Sequence, residues 1–310
     1  MSEIRDTGVS WLHRFAAFVA CATFGLIIAG ALVTSNDAGL SVPDWPTAFG
    51  KFQIPHLVGG VKFEITHRMI AGTVGLLTIA LAIWLWRSKS ARYVKILGGL
   101  AVLAVIAQAV LGGIGVLYFL PTFVTIFHAT LAQIFFAIAV SLALFTRTDW
   151  RWDQPKVPDY TSPSLRGLAV FTTAAVFVQV VMGAAFRYNE FGIAPHLLGG
   201  VAVTICVLWL FEIVFNKYSE VEGLKIPAVL LVEVVVLQFF LGIITYAMKL
   251  NAAGAPQPLP GVVVITTTHV AVGALVVASS LFMTYQAFKY VSPRRAEESV
   301  PAADARKVTA

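Results

Sequence analysis

The sequence predicts an all-α integral membrane protein of eight transmembrane helices, arranged as two pseudo-two-fold-related four-helix bundles. Three observations carry this. Of its 310 residues 58% are hydrophobic and 12% charged, with mean hydropathy +0.82, whereas soluble domains carry about 25% charge. From Ile96 to Thr146 there is no Asp, Glu, Lys or Arg, a run too long for one crossing of a ~30 Å hydrocarbon core and long enough for two. The third is an echo between the halves, set out below. Soluble enzyme folds, outer-membrane barrels and disordered chains are excluded together. The net charge of +6 is better read from where Lys and Arg sit than as a sign of nucleic acid.

Taken in order, the apolar windows fall at about 12–34, 66–86, 94–118, 122–146, 166–187, 194–215, 226–248 and 262–288, each reaching the ~20 residues a helical crossing needs. The first is kept as a helix, because its uncharged stretch, Phe15 to Thr34, exceeds a signal-peptide core and no clear cleavage site follows. Counting Lys and Arg by side gives seventeen against five, which puts both termini in the cytoplasm of a multi-pass protein, with a bacterial inner membrane as the expected location. The predicted domains are an N-terminal bundle (1–147), a plain cytoplasmic linker (148–164), a C-terminal bundle (165–291) and a disordered cytoplasmic tail (292–310). Cys21 and Cys206 lie inside helices one and six, so no disulfide is predicted. Glu212 and Glu233 fall toward the cytoplasmic side and read as packing or snorkelling residues.

The echo is local and repeated. Helix one leaves the membrane as Gly30-Ala31-Leu32-Val33-Thr34-Ser35-Asn36-Asp37-Ala38-Gly39-Leu40, and helix five as Gly183-Ala184-Ala185-Phe186-Arg187-Tyr188-Asn189-Glu190-Phe191-Gly192-Ile193. Gln108 precedes Gly112, Gln179 precedes Gly183 and Gln238 precedes Gly242, always by one turn. Apolar helices do reuse small residues for close packing and polar ones as interhelical glue. Together with the loop echo, duplication is the better account. Units of four crossings share an orientation and so are related by an axis along the membrane normal.

Of six histidines, His13 and His56 read as interfacial or solvated. His67, His128, His196 and His269 each enter the outer end of an even-numbered helix, at one expected depth, within roughly 10 Å of the edge. A single such histidine is usually a packing residue, but four at equivalent points of a duplicated bundle ask for a common purpose. Paired imidazoles suit the iron of a heme slid between helices. Ala71, Ala132, Gly200 and Gly273, one turn further in, would leave room for the flat ring. A bare metal site is the competing reading, and it would usually want carboxylate or thiolate ligands. The one nearby acid is Glu64, on the same helix face as His67 at a spacing of three. It has no counterpart before His196, where the chain reads Ile193-Ala194-Pro195. It could be an ordinary first-turn acid; the asymmetry suggests a resident cofactor in the second half and chemistry in the first.

These residues resemble the heme A synthase family over roughly residues 12–290. The most specific part is Glu64-Ile65-Thr66-His67-Arg68, preceded by Gly39-Leu40-Ser41 and Asp44-Trp45-Pro46, and joined by His128, His196 and His269. The resemblance implies an oxidoreductase that converts a ring methyl of heme O to a formyl group through a hydroxymethyl stage, for cytochrome oxidase biogenesis. It implies that His196 and His269 hold heme b, that His67 and His128 address the substrate heme, and that Glu64 is the catalytic group. Arg68, Arg187 and Lys249 would serve as propionate partners, although a basic residue at a membrane boundary is equally often a headgroup anchor. Expected partners are heme O, an electron donor, heme O synthase and oxidase assembly factors, with room for a homo-oligomer. Some members carry a Cys pair in the outer loops. Residues 35–62 and 188–195 have none, so this chain resembles a Cys-free variety and a thiol route for electrons is closed to it.

Two readings of other classes remain. A diheme b-type protein carrying electrons would also show four histidines, but would usually spread its hemes across both leaflets. A heme carrier has no evident use for Glu64. Heme O synthase itself would need paired Asp-rich motifs, which the chain lacks.

Overall fold

A computed structural model describes residues 11–293 as eight helices: α1 (Trp11–Ser35), α2 (Val61–Arg87), α3 (Arg92–Leu117), α4 (Thr122–Phe145), α5 (Leu165–Arg187), α6 (Ile193–Lys217), α7 (Glu222–Asn251) and α8 (Pro260–Tyr290). Nearly all of the predicted tail, from residue 294, lies outside the described residues. All eight helices are long and apolar enough to cross a membrane, and the chain is a multi-pass membrane protein. The largest boundary difference is at α2, which begins five residues before its apolar window, at Val61. The added turn carries Lys62 and Glu64, polar residues that dilute a hydropathy window while the backbone still forms helical bonds, as in Glu64 N–H to Gly60 O at 3.2 Å. α7 likewise runs through Pro227, which removes the N–H that would otherwise bond to the carbonyl of Gly223.

α1 through α4 form a closed ring of neighbours, α1·α2, α2·α3, α3·α4 and α1·α4, and α5 through α8 form a second, α5·α6, α6·α7, α7·α8 and α5·α8. The rings meet through α1·α8, α4·α5 and α4·α8. Exchanging α1–α4 with α5–α8 turns this set of pairs into itself. Three of the odd helices, α1, α3 and α5, also leave alike: Asp37, Phe119 and Asn189 have positive φ, and the next residue's N–H bonds back five positions, Ala38 to Val33, Leu120 to Gly115 and Glu190 to Ala185. Asp and Asn tolerate that left-handed turn at low cost.

Each ring has its own buried core, around Leu81, Leu85 and Leu142 in the first and Leu210, Leu231 and Met283 in the second. A smaller cluster of Ile27, Phe136 and Ala274 fills the seam between them. Glu212 and Glu233 are exposed on the outside of their helices; Glu212 accepts from Asn216 at 2.7 Å.

The connector 148–164, expected to be a plain linker, is a folded clamp. Asp159 is 4% exposed and accepts from the hydroxyl of Thr161 at 2.7 Å, the hydroxyl of Tyr218 at 2.8 Å and the backbone N–H of Leu165 at 2.9 Å. Val157 pairs with Val291 as an isolated parallel bridge. Phe145 gathers the rings of Tyr93, Trp150, Trp152 and Tyr285, and Lys289 lies over Trp150 at 4.9 Å. His13 also works at this end, its Nδ1 2.8 Å from Ala143 O.

Candidate functional site

The four histidines on the even-numbered helices each face a glycine on the preceding helix. A Cβ placed on Gly30 would stand 3.2 Å from Cε1 of His67; on Gly112, 3.4 Å from His128; on Gly183, 2.9 Å from His196; on Gly242, 3.2 Å from His269. Close approach explains these glycines, which occupy one position on every odd-numbered helix. His67 and His128 stand six residues into their helices, His196 three and His269 nine, about 9, 5 and 14 Å along the axis at 1.5 Å per residue. Helix starts therefore do not set a common depth. Packing does: the rings of His196 and His269 are 6.2 Å apart between centroids and nearly perpendicular, at 85°. His67 and His128 are near enough to interact electrostatically.

An imidazole nitrogen lies about 2 Å from a first-row metal it ligates, so two rings opposed across one iron have centroids roughly 6 Å apart. The second pair has that separation. Nδ1 of His67, His128 and His269 is buried without a hydrogen-bond partner, an arrangement that costs free energy unless something else satisfies the ring. Among the described residues no three His, Cys, Asp or Glu gather at one point. Paired imidazoles with no third side-chain ligand suit a macrocycle that brings its own four nitrogens better than a bare ion.

The glutamines one turn before the glycines have a use that spacing did not reveal. Gln108 Nε2 donates to the carbonyl of His128 at 2.9 Å. Gln179 Nε2 lies 2.7 Å from the carbonyl of His196 and 3.0 Å from its Nδ1. Gln238 Nε2 lies 3.4 Å from Nε2 of His269. Gly200 and Gly273, expected to make room for the porphyrin, instead face these amides: a Cβ there would stand 3.4 Å from Gln179 and 3.2 Å from Gln238.

The first bundle carries a long, folded outer loop between its first two helices. The α1–α2 loop folds across the end of its bundle, with Ala38 and Val42 fully buried, and the Trp45 ring lies against Gly113, where a Cβ would meet it at 2.8 Å. Glu64, 3% exposed, accepts from Val42 N–H at 2.8 Å and pairs with Arg68. Arg68 also donates to Asp44 O at 2.8 Å, Thr47 O at 3.1 Å and Val42 O at 3.3 Å. In the loop, Asp44 accepts from the Thr47 hydroxyl and from the N–H groups of Gly50 and Phe49, in that order of effect with desolvation opposing them, which holds its carboxyl below the usual range. His56 is exposed. The corresponding α5–α6 turn spans only residues 188–192.

Arg187 reaches across the seam, donating to Ser35 Oγ at 2.9 Å and Ala31 O at 3.4 Å on α1. It lies within electrostatic range of His269, and Lys249 within range of Arg187. Neither cation has a carboxylate at ion-pair distance among the described residues.

Residues 61–196 match the COX15-CtaA family, described as cytochrome oxidase assembly protein. The chain is 27% identical over 265 residues, 76% of its length and 86% of the relative's, to a protein named heme A synthase from Lysinibacillus sphaericus (strain C3-41). To the heme A synthase of Halalkalibacterium halodurans it is 28% identical over 265 residues, covering 87% of that protein. To that of Bacillus licheniformis it is 34% identical over 177 residues, 54% of this chain. Eight apolar helices, paired histidines and these similarities along most of the chain agree, and the chain is similar over most of its length to the heme A synthases of the COX15-CtaA family.

Proposed function

We propose that this chain is a heme A synthase, oxidising one ring methyl of heme O to a formyl group by way of a hydroxymethyl stage. The observation that carries this is the set of four glycine-backed histidines, forming one pair per bundle, with a long loop between the first two helices and a buried acid beside the histidine in only the first. His67 and His128 address heme O, and His196 and His269 hold heme b. Bound there, heme b supplies one-electron chemistry beside the substrate bundle. Arg187 and Lys249 are placed for propionates; Arg68 would reach one only by releasing a loop carbonyl. Glu64 is the group required for turnover. With its oxygens engaged by Arg68 and Val42 it closes the pocket, and proton movement through it accompanies loosening of one of those bonds. Cys-free outer loops leave electron delivery to the second heme and an external donor. The seventeen-to-five distribution of positive residues supports termini in the cytoplasm of a bacterial inner membrane, with heme O synthase and oxidase assembly factors as expected neighbours.

Expression with a source of heme O, followed by pigment extraction and chromatography, tests this: heme A or its hydroxylated precursor is expected. A wild-type chain that retains heme b and makes neither is an electron carrier or heme carrier, and the reading fails. Glu64→Ala is expected to lower product at least tenfold; wild-type yield would remove that residue from the chemistry.

A further inference from the structure

Three of the four histidines are held by an amide from the preceding helix, and one is not. On α1 the residue one turn before Gly30 is Leu26, the position filled on α3, α5 and α7 by Gln108, Gln179 and Gln238. Leu26 packs with the apolar core of the first bundle and offers no polar atom to α2. Nδ1 of His67 is buried without a partner, as it is in His128 and His269; what sets His67 apart is that neither its ring nor its backbone carbonyl receives a glutamine, whereas Gln108 reaches the carbonyl of His128, Gln179 the carbonyl and ring of His196, and Gln238 the ring of His269. The Oε1 atoms of Gln179 and Gln238 are buried and unpartnered. A half-turn of either amide presents an acceptor to a ring N–H once the other ring nitrogen is on iron, which fixes tautomer and orientation.

The turn that carries His67 differs in a second way. Glu64 and Arg68, three before it and one after, are the two α2 residues to which the covering loop is tied. Any opening of that loop loads this turn of α2, while His128 on α4 stays tethered by Gln108.

We propose that Gln108, Gln179 and Gln238 are positioning residues that set His128, His196 and His269, and that untethered His67 is the axial ligand that lets go when the substrate porphyrin exchanges. This rests on the first bundle being the heme O pocket. The substrate side then has one fixed and one yielding imidazole, and the resident side has two fixed ones. A substrate must leave after each turnover; a cofactor must stay.

The test is a release assay, which needs no turnover. Purified full-length protein carrying heme b and loaded with heme O is chased with excess apomyoglobin, and the hemes that leave are resolved by chromatography. Losing or gaining an outer-shell partner typically changes metal affinity by roughly ten- to a hundredfold. Leu26→Gln is expected to slow heme O release about tenfold without altering heme b release or its low-spin spectrum. Gln108→Leu is expected to speed heme O release about tenfold. Gln179→Leu is expected to speed heme b loss and shift its low-spin spectrum, a signature that mere helix loosening would not produce. Unchanged or faster heme O release from Leu26→Gln with an intact heme b spectrum overturns the proposal. Should that variant not fold, Gln108→Leu decides alone, and a wild-type release rate from it overturns the proposal equally. If wild type takes up no heme O while holding heme b, the substrate-pocket reading fails first and this proposal with it.

Discussion

A methyl group added at Gly183 would stand 2.9 Å from the His196 ring, at Gly30 or Gly242 3.2 Å from its histidine, and at Gly112 3.4 Å from His128. Separations below about 3 Å force something to move, whereas 3.4 Å is ordinary contact. Alanine at these four glycines therefore forms a graded series. Gly183→Ala is expected to displace His196 and lose most of the low-spin heme b absorbance, Gly242→Ala to lose part of it, and Gly112→Ala to leave both pigments near wild type. Equal loss from all four would mean that the glycines serve helix packing in general rather than the rings. Replacing His196 or His269 with Ala is expected to abolish the low-spin b spectrum, whereas loss from His67→Ala would reverse the assignment of the halves. The histidines were legible in the sequence because imidazole is rare in an apolar window. The role of the glutamines was not, because the carbonyl or ring each one reaches lies 17 to 31 residues further along the chain.

At the scale of elements, the eight helices were legible because burial in lipid writes itself as composition. The connections were not, since a loop's fold depends on long-range partners. The α1–α2 loop is held by Arg68 through three backbone carbonyls, none of which has a sequence signature. Charge-assisted hydrogen bonds of this kind contribute about 1.5–3 kcal/mol each. Arg68→Ala is expected to free the loop and speed tryptic cleavage at exposed Lys51 by tenfold or more, with the heme b spectrum unchanged. The connector 148–164 read as a plain linker because Asp and Pro dominate it, yet Asp159 is its organising residue. Burial alone would raise that carboxyl; the hydrogen bonds from Thr161, Tyr218 and Leu165 outweigh burial and hold it below the usual carboxylate range. A carboxyl lowered by folding stabilises the protein above its unfolded value, and that stability is lost as pH falls through the folded value. Tyr218 moves the opposite way, its hydroxyl pushed up by burial and by the Asp159 carboxylate. Asp159→Ala leaves those donors without their acceptor and is expected to cost about 1–3 kcal/mol. It should also flatten the acid limb of a thermal-stability profile measured against pH; an unchanged acid limb would assign that loss to other carboxylates.

Over the whole molecule, every helix pair in contact has its counterpart under exchange of the halves, with α4·α8 mapping onto itself. The device that distinguishes the halves, a loop over one bundle, is therefore laid on a duplicated frame. The frame depends on its seam, where Ile27, Phe136 and Ala274 pack together, Phe24 meets Phe136 at 5.8 Å between ring centroids, and Ser141 bonds Tyr285 at 2.7 Å. Lipid competes for apolar surface as well as protein does, so this seam is held by shape and by its few hydrogen bonds rather than by hydrophobicity alone. Ala274 is 0% exposed and Phe136 3%, which makes them sensitive in opposite directions. Ala274→Leu overfills the seam and is expected to cost about 1–3 kcal/mol, and Phe136→Ala empties it at about 3–5 kcal/mol. Because the two residues share one apolar cluster, the double variant should recover part of the loss, a coupling of about 0.5–3 kcal/mol in a double-mutant cycle of unfolding in detergent. Strict additivity would mean that the two sites relax independently. The seam would then be a loose contact between two bundles rather than the packed surface that holds one histidine pair beside the other.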